Sequence, residues 1–275
     1  MNISNSYKST LGALSAVLVL SLSASLAHAA AIHDAALFTT NTLARNDDGS
    51  TGLVATGFNI NFFGSNYSNL YVNNNGNVTF TAPLGTYTPF NIVSTGTPML
   101  APFFADIDTR NAVSGVTQYG QGTLGGRNVF GVNWINVGYF SNQADKLNSI
   151  QLIMTDRSDV GAGDFDFEFN YDQILWETGS ASSGVNGFGG SPARAGWSSG
   201  SVSYEIAGSG TTLALLDSNP ATGLIHNSLN SNTSGQYIFQ VRNGQVVSQV
   251  PEPASLALLG LGLAGLAVSR KRKAI

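Results

Sequence analysis

Residues 164–169 have the sequence Asp-Phe-Asp-Phe-Glu-Phe, in which acidic and aromatic side chains alternate without interruption. Successive side chains of a β-strand point to opposite faces of its sheet. The pattern therefore predicts a strand whose phenylalanines lie in the core and whose carboxylates face solvent. A second interpretation, in which such acids flank a sugar bond as a glycosidase pair, stays open because a sequence gives no distance between carboxylates.

Short apolar or alternating segments recur along the chain, separated by Gly, Ser and Asn turns. Residues 70–72 and 78–80 flank the sequence Asn-Asn-Asn-Gly at 73–76, whose Asn-Gly step suits a tight hairpin turn. Outside the termini, no window predicts a long amphipathic helix. We expect an all-β fold, an antiparallel β-sandwich-like single domain with an N-terminal signal helix and a short C-terminal apolar helix. The other predicted strands are residues 58–62, 116–119, 128–137, 150–155, 164–171, 202–206 and 237–241.

The predicted β domain extends over residues 30–244. Its most Gly- and Ser-rich stretch, at 179–200, is expected to form an extended loop region. Residues 245–249 are predicted to be a linker to the C-terminal segment at 250–275. The chain contains no Cys, so its fold must be held together by burial alone.

The first 29 residues have the organisation of a secretory signal peptide. Lys8 precedes an apolar core at 11–22, which is too short to span a bilayer, and the small-residue pattern at 27–29 predicts a mature protein that begins at Ala30. Residues 30–249 carry seven basic and fifteen acidic side chains, a net charge of −8. Such a surface repels nucleic acid and anionic lipid, so we expect no nucleic-acid partner.

The C-terminal segment combines a proline break, an apolar run and a basic end. As a helix, the run at 254–268 would be about 22 Å long, which is short of a hydrocarbon core of about 30 Å. The basic residues beyond it favour a cytoplasmic tail and place the body of the protein outside the membrane. The flanking residues are Pro251, Glu252 and Pro253 on one side and Arg270, Lys271, Arg272 and Lys273 on the other.

This order of parts resembles the PEP-CTERM sorting signal of Gram-negative bacteria. The resemblance implies a membrane-embedded exosortase as a transient partner, with cleavage near the Pro-Glu-Pro motif. It also implies transient anchoring in the inner membrane, followed by traffic to the cell surface or to extracellular polysaccharide. A plain C-terminal membrane anchor is the alternative.

A series of short motifs runs through the body of the chain. They are Gly57-Phe58, Phe62-Phe63-Gly64, Leu70-Tyr71-Val72-Asn73-Asn74-Asn75-Gly76, Ala101-Pro102-Phe103-Phe104-Ala105-Asp106-Ile107-Asp108-Thr109-Arg110, Val132-Asn133-Trp134-Ile135-Asn136-Val137-Gly138-Tyr139-Phe140, Asp145-Lys146-Leu147-Asn148 and Phe169-Asn170-Tyr171 with Ile174 and Trp176. In this order they resemble nidogen-like (NIDO) domains, over residues 58–241.

The nidogen-like resemblance implies an extracellular β-rich module associated with cell-matrix adhesion, with no catalytic residues. No Cys-rich module follows the motifs in this sequence, so a basement-membrane role is not implied. We expect a non-enzymatic surface or matrix protein, associated with a biofilm, whose partners are extracellular polysaccharide or matrix proteins. The alternative is a secreted protein that binds or cleaves polysaccharide.

Asp106 and Asp108 form an Asp-x-Asp pair at the end of an apolar segment. Hard carboxylate oxygens in this arrangement suit calcium, the one cofactor that we consider. Arg110 occupies the next alternate position and would oppose a nearby cation. The alternative is a turn in which Asp108 pairs with Arg110 and Asp106 accepts hydrogen bonds from loop amides.

Two further motifs bear on sugar binding and catalysis. Trp197, in the Gly- and Ser-rich stretch, is a candidate for stacking on a sugar, whereas Trp134 and Trp176 lie in apolar segments typical of a core. The sequence around Ser198 matches the hydrolase motif G-x-S-x-G, with Asp217 and His226 following. A nucleophile elbow requires a helix after the serine, and the segment that follows looks like another strand, so we predict no catalytic residues.

Overall fold

The computed structural model describes residues 31–247. The predicted signal peptide at 1–29 and the predicted sorting segment and apolar helix within 250–275 lie outside the described residues. Within residues 31–247, no helix is long and apolar enough to cross a membrane. Short 3-10 helices occur at Ala35–Phe38, Ile92–Ser94, Ser180–Ser182 and Leu224–His226.

Antiparallel β-strands dominate this part of the chain, which confirms the all-β prediction. In chain order the strands are β1 Asn41–Thr42, β2 Val54–Phe62, β3 Ser65–Asn73, β4 Asn77–Thr79, β5 Pro98–Phe104, β6 Ile107–Asp108, β7 Thr117–Leu124, β8 Arg127–Tyr139, β9 Gln143–Asp156, β10 Phe165–Gln173, β11 Arg194–Ser199, β12 Ser203–Glu205, β13 Gln236–Arg242 and β14 Gln245–Val247.

The strands form two sheets that share one hydrophobic core. Sheet one has the order β1-β7-β8-β9-β10-β13-β14, with β6 also paired to β8, and sheet two has the order β12-β11-β5-β4-β3-β2. Phe62 of sheet two contacts Phe165 of sheet one, with ring centroids 6.1 Å apart. Phe103 of sheet two contacts Trp176, which follows β10, at 5.6 Å. Aromatic contacts between the sheets therefore fill the core of a chain that has no disulfide.

Strand β10 shows the alternation that the sequence predicts, although Asp164, just before the strand, is buried and does not face solvent as predicted. Its three phenylalanines are buried, whereas Asp166 and Glu168 remain partly exposed. Asp166 makes ion pairs with Arg157 and Arg242, and Glu168 pairs with His33. The acidic face of this strand is therefore held in ion pairs at the surface of sheet one.

The predicted loop at 179–200 is wrong at Arg194–Ser199, which forms β11 between β5 and β12. Gly196 lies opposite Glu205 in this register. A Cβ atom on Gly196 would lie 2.1 Å from the carbonyl oxygen of Tyr204. The glycine that suggested a loop is therefore required by the close approach of the neighbouring strand.

The predicted linker is also wrong at Gln245–Val247, which forms β14 at the edge of sheet one. Asn243 and Gly244 both have positive φ angles, 51° and 79°, as a two-residue hairpin turn requires. Val246 lies opposite Val241 and packs against the core. Because of this tight turn, the chain remains part of the sheet to the end of the described residues.

The hairpin predicted around residues 73–76 is confirmed. Val72 of β3 lies opposite Val78 of β4, and Gly76 has a positive φ of 70°. The turn does not face solvent, because Asn73, Asn74 and Asn75 are all buried. This buried turn positions the candidate site described next.

Candidate functional site

Three aspartates from two separate parts of the chain meet in the folded domain. Asp47 and Asp48 lie between β1 and β2, and Asp106 lies between β5 and β6. One carboxylate oxygen of each lies within 4.8 Å of the other two. We call these three residues the acidic cluster. They line a surface cavity together with Tyr87 and Phe140.

The buried hairpin turn holds both parts of the acidic cluster in place. Asn74 donates hydrogen bonds from Nδ2 to the backbone oxygens of Asp47 and Ile107. Asn75 donates from Nδ2 to Asp48 Oδ1 at 2.9 Å. Its Oδ1 atom accepts a hydrogen bond from the Ile107 amide at 3.0 Å. The two asparagines therefore fix the position of one loop relative to the other.

Asp106 is the buried member of the cluster, with 1% of its surface exposed. Its Oδ2 atom is enclosed and has no hydrogen-bond partner among the described residues. Burial, followed by the charges of Asp47 and Asp48, raises the pKa of Asp106 to about 7. Gly179 lies against this carboxylate, and a Cβ atom there would be 2.3 Å from Oδ2. An anionic carboxylate at this depth is unfavourable unless a proton or a cation neutralises it.

Asp47 is less buried than Asp106 but has a similar electrostatic environment. Its Oδ2 atom lies 3.1 Å from Arg110 Nη2, while its Oδ1 atom is enclosed without a hydrogen-bond partner in the described part of the chain. Burial, followed by the charges of Asp108 and Asp48, raises the pKa of Asp47 to about 6 despite the opposing charge of Arg110. The one nearby guanidinium therefore does not neutralise the cluster.

Asp108, the second member of the predicted metal pair, has other partners. Its Oδ1 atom accepts hydrogen bonds from the Arg110 backbone amide and from Arg110 Nε, both at 2.9 Å. Its Oδ2 atom accepts from the Asn142 amide at 2.7 Å. Burial alone would raise the pKa of Asp108, but these hydrogen bonds outweigh it and hold the pKa below its usual range. Asp108 therefore forms the predicted alternative, a turn in which it pairs with Arg110. Asp106 instead lies beside Asp47 and Asp48, two acids that were not among the predicted site residues.

The missed residues did carry signals in the sequence. Asp47 and Asp48 are consecutive acids before Gly49, and three consecutive asparagines precede Gly76 where a hairpin turn requires only one. Neither signal says that the two segments meet. They meet through the bridge between Ser50 and Asn73 and through the hydrogen bond from the Asn74 amide to the Gly49 carbonyl at 2.9 Å.

The nidogen-like domain model matches residues 68–125 and 120–243, which together cover more than half of the chain. The chain belongs to the nidogen-like domain family. The resemblance in the motifs between residues 58 and 241 is thereby confirmed.

Three relatives show how far the similarity extends. Alpha-tectorin of Mus musculus is 29% identical over 226 residues, which cover 73% of this chain and 10% of the relative. Alpha-tectorin of Gallus gallus is 30% identical over 242 residues, which cover 78% and 10%. Nidogen of Drosophila melanogaster is 28% identical over 119 residues, which cover 34% and 9%. The chain thus spans about a tenth of the length of these curated relatives, and no solved structure matches it.

A second family model, the PEP-CTERM protein-sorting motif, matches residues 249–273. This match confirms the resemblance carried by the Pro-Glu-Pro motif and the basic end. A sorting motif joined to a nidogen-like domain supports an exported protein of the cell surface or extracellular space.

Trp197, the predicted sugar-stacking residue, lies on β11 of the nidogen-like domain and is 6% exposed. Its ring stacks on Phe63 at 5.5 Å and on Tyr204 at 6.3 Å. Its indole nitrogen is enclosed without a hydrogen-bond partner in the described residues. One edge of Trp197 reaches a surface groove that Tyr204, Phe239 and Val246 also line. The more accessible ring in this groove is Tyr204, which is 37% exposed.

Ser198, Asp217 and His226, the residues of the hydrolase-like motif, do not form a catalytic triad in the nidogen-like domain. Ser198 is fully buried, and its hydroxyl group donates to the Thr95 carbonyl at 3.4 Å. Strand β11 leads into strand β12, so the strand-to-helix turn of a nucleophile elbow does not follow Ser198. His226 Nε2 contacts the backbone oxygen of Asp217 at 2.7 Å, not its carboxylate.

Two other acids with the chemistry for sugar cleavage have structural partners in the nidogen-like domain. Glu177 is buried and accepts hydrogen bonds from the amides of Gly189 and Leu213, at 3.1 and 2.7 Å. Glu205 forms an ion pair with Arg194 at 2.9 Å. Both side chains therefore connect segments of the fold.

Proposed function

We propose that this chain is an exported surface or extracellular-matrix protein whose nidogen-like domain acts as a non-enzymatic adhesion or interaction module. The observation that carries the proposal is the presence in one chain of a nidogen-like domain and a C-terminal sorting motif. An exosortase is its transient partner in the inner membrane, and cleavage near Pro251 releases it to the cell surface.

The non-enzymatic part of the proposal rests on the environment of the side chains that could have catalysed hydrolysis. Ser198 is buried, and Glu177 and Glu205 are engaged by backbone amides or by arginine. A general acid or nucleophile has to reach its substrate, and these groups face their own structural partners instead.

The partner that we propose is extracellular polysaccharide or a protein of the matrix. The net charge of −8 over residues 30–249 disfavours anionic partners such as nucleic acid. The groove beside Trp197 and Tyr204 supports polysaccharide, because an exposed aromatic ring offers an apolar face on which a sugar can stack.

Matrix binding is the first test. We expect the secreted protein to sediment with exopolysaccharide purified from the cells that make it, without releasing soluble sugar. An acidic β-sandwich protein of similar size and net charge serves as the control and should remain in the supernatant. Sugar release would support the polysaccharide-cleaving alternative. Absence of retention on both exopolysaccharide and whole matrix would contradict the adhesion role.

Terminal processing provides a second prediction. Intact-mass measurement of the extracellular protein should show a start near Ala30 and the absence of residues 270–273. If Pro251, Glu252 and Pro253 are replaced by alanine, the protein should keep its basic end and remain in the membrane fraction. The sorting proposal is wrong if most secreted wild-type molecules retain Arg270 and Lys271.

A further inference from the structure

We propose that Asp47, Asp48 and Asp106 form a calcium site that joins the loop between β1 and β2 to the turn between β5 and β6. The site does not rest on the adhesion role, because it follows from the positions of the three carboxylates. Its ligand is a hard divalent cation held by oxygen atoms.

The first argument is geometric. Two ligand atoms of one ion are separated by at most twice the ion-to-ligand distance, which is about 4.8 Å for calcium bound at about 2.4 Å. The three carboxylate oxygens lie within 4.8 Å of one another, so each pair of them satisfies this limit. Magnesium, bound at about 2.1 Å, requires closer ligands and a stricter octahedron. Calcium tolerates a more variable ligand geometry, so it suits carboxylates supplied by two separate loops better than magnesium does.

The second argument is the carboxylate of Asp106. Its Oδ2 atom is enclosed and lacks a hydrogen-bond partner among the described residues, although Asp106 belongs to a rigidly held turn. Native structures rarely leave such an atom without a partner unless water or an ion supplies one. Asp106 lines the same cavity as Asp47 and Asp48, so a cation bound there would lie beside its carboxylate.

The third argument is local charge. Three carboxylates meet here, and the cation beside them is Arg110, whose Nη2 atom lies 3.1 Å from Asp47 Oδ2. Arg110 also pairs with Asp108, so the positive charge of the guanidinium is shared with a fourth acid. A divalent cation would therefore offset the repulsion between the carboxylates that Arg110 alone does not neutralise. Because neither His nor Cys belongs to the cluster, the donor set suits calcium better than zinc.

Rigidity is the fourth argument. Asn74 and Asn75 hold both sides of the cluster, through hydrogen bonds to the backbone of Asp47 and Ile107 and to the carboxylate of Asp48. Asp106 therefore meets Asp47 and Asp48 in the folded state, although it is far from them along the chain. An ion that binds only the folded state raises the unfolding temperature by mass action.

The experiment is thermal unfolding of the purified secreted protein, first with a chelator and then with increasing calcium. At a calcium concentration about a hundred times the dissociation constant, the midpoint should have risen by about 5 to 10 °C, and it should continue to rise with the logarithm of the calcium concentration. Magnesium at the same concentration should give a smaller rise. An equal rise with magnesium would overturn the assignment to calcium.

Asp106→Asn should abolish the calcium-dependent rise while leaving the chelated protein folded, because asparagine has nearly the same shape and removes one repelling charge. Asp48→Asn, at a more exposed position, should weaken the calcium-dependent rise. If Asp106→Asn does not fold, the Asp48→Asn variant provides the test of the site instead. The matched control is Asp172→Asn, which also removes one negative charge but lies on β10 and should keep the full rise. A wild-type midpoint that does not respond to calcium, or an equal response in Asp106→Asn and Asp172→Asn, would overturn the proposal.

Discussion

Replacing Trp176 by alanine should lower the free energy of unfolding by about 3 to 5 kcal/mol, because it removes a large fully buried side chain from the centre of the core. The ring meets Phe103 of sheet two at 5.6 Å and Tyr139 of sheet one at 5.3 Å. Its Nε1 atom donates a hydrogen bond to the Val137 carbonyl at 3.0 Å. Truncation therefore leaves a cavity between the sheets and an unsatisfied carbonyl.

Equilibrium denaturation in urea measures this loss as a lower midpoint at an unchanged slope. The neighbouring residue Leu175 is 38% exposed, so Leu175→Ala is the matched control and should change the free energy of unfolding by less than about 1 kcal/mol. Similar losses in the two variants would show that Trp176 does not connect the sheets as described.

Gly76→Ala should destabilise the protein by more than about 3 kcal/mol, because it combines backbone strain with a direct clash. Gly76 has a φ of 70°, and a Cβ atom there would lie 1.9 Å from the carbonyl oxygen of Phe103. The Gly76 carbonyl also accepts a hydrogen bond from the Phe103 amide at 3.1 Å. Relief of the clash would have to separate the hairpin turn from β5.

Gly64 provides the control for this substitution. It has a φ of 85°, but a Cβ atom there would meet nothing within 4 Å in the described part of the chain. Gly64→Ala should therefore show only the strain of a left-handed residue, about 1 to 2 kcal/mol. Thermal unfolding of both variants separates the two contributions, and equal losses would contradict the clash at Phe103.

Several properties of this protein are determined by short stretches of sequence. The alternation at residues 164–169 specifies a strand because the side-chain period of a strand is two, whatever the strand pairs with. The Asn-Gly step before residue 77 specifies a tight turn through the φ angles that glycine permits. The sorting motif at 249–273 is likewise a contiguous segment, so it can be identified without a structure.

Strand β11 shows where local sequence is misleading. Gly196 lowers strand propensity and suggests a loop, but in the sheet it accommodates the carbonyl of Tyr204. Trp197 then points into the core, although its Gly- and Ser-rich surroundings suggested an exposed side chain. A residue's exposure depends on which strand lies beside it, and this information is spread over distant parts of the chain.

The tertiary structure determines which aspartates form the acidic cluster. The Asp-x-Asp spacing drew attention to Asp106, but the partners of a carboxylate are set by sheet pairing and buried turns rather than by spacing. The fold assigns Asp108 to Arg110 and Asn142, and it assigns Asp106 to Asp47 and Asp48 through the turn at Asn74 and Asn75. Sequence alone determined strands such as β10, the family and the sorting motif, because each is carried by short motifs that can be identified without knowing what they contact. Only the fold could decide which acids meet, because that depends on contacts between residues far apart in the chain.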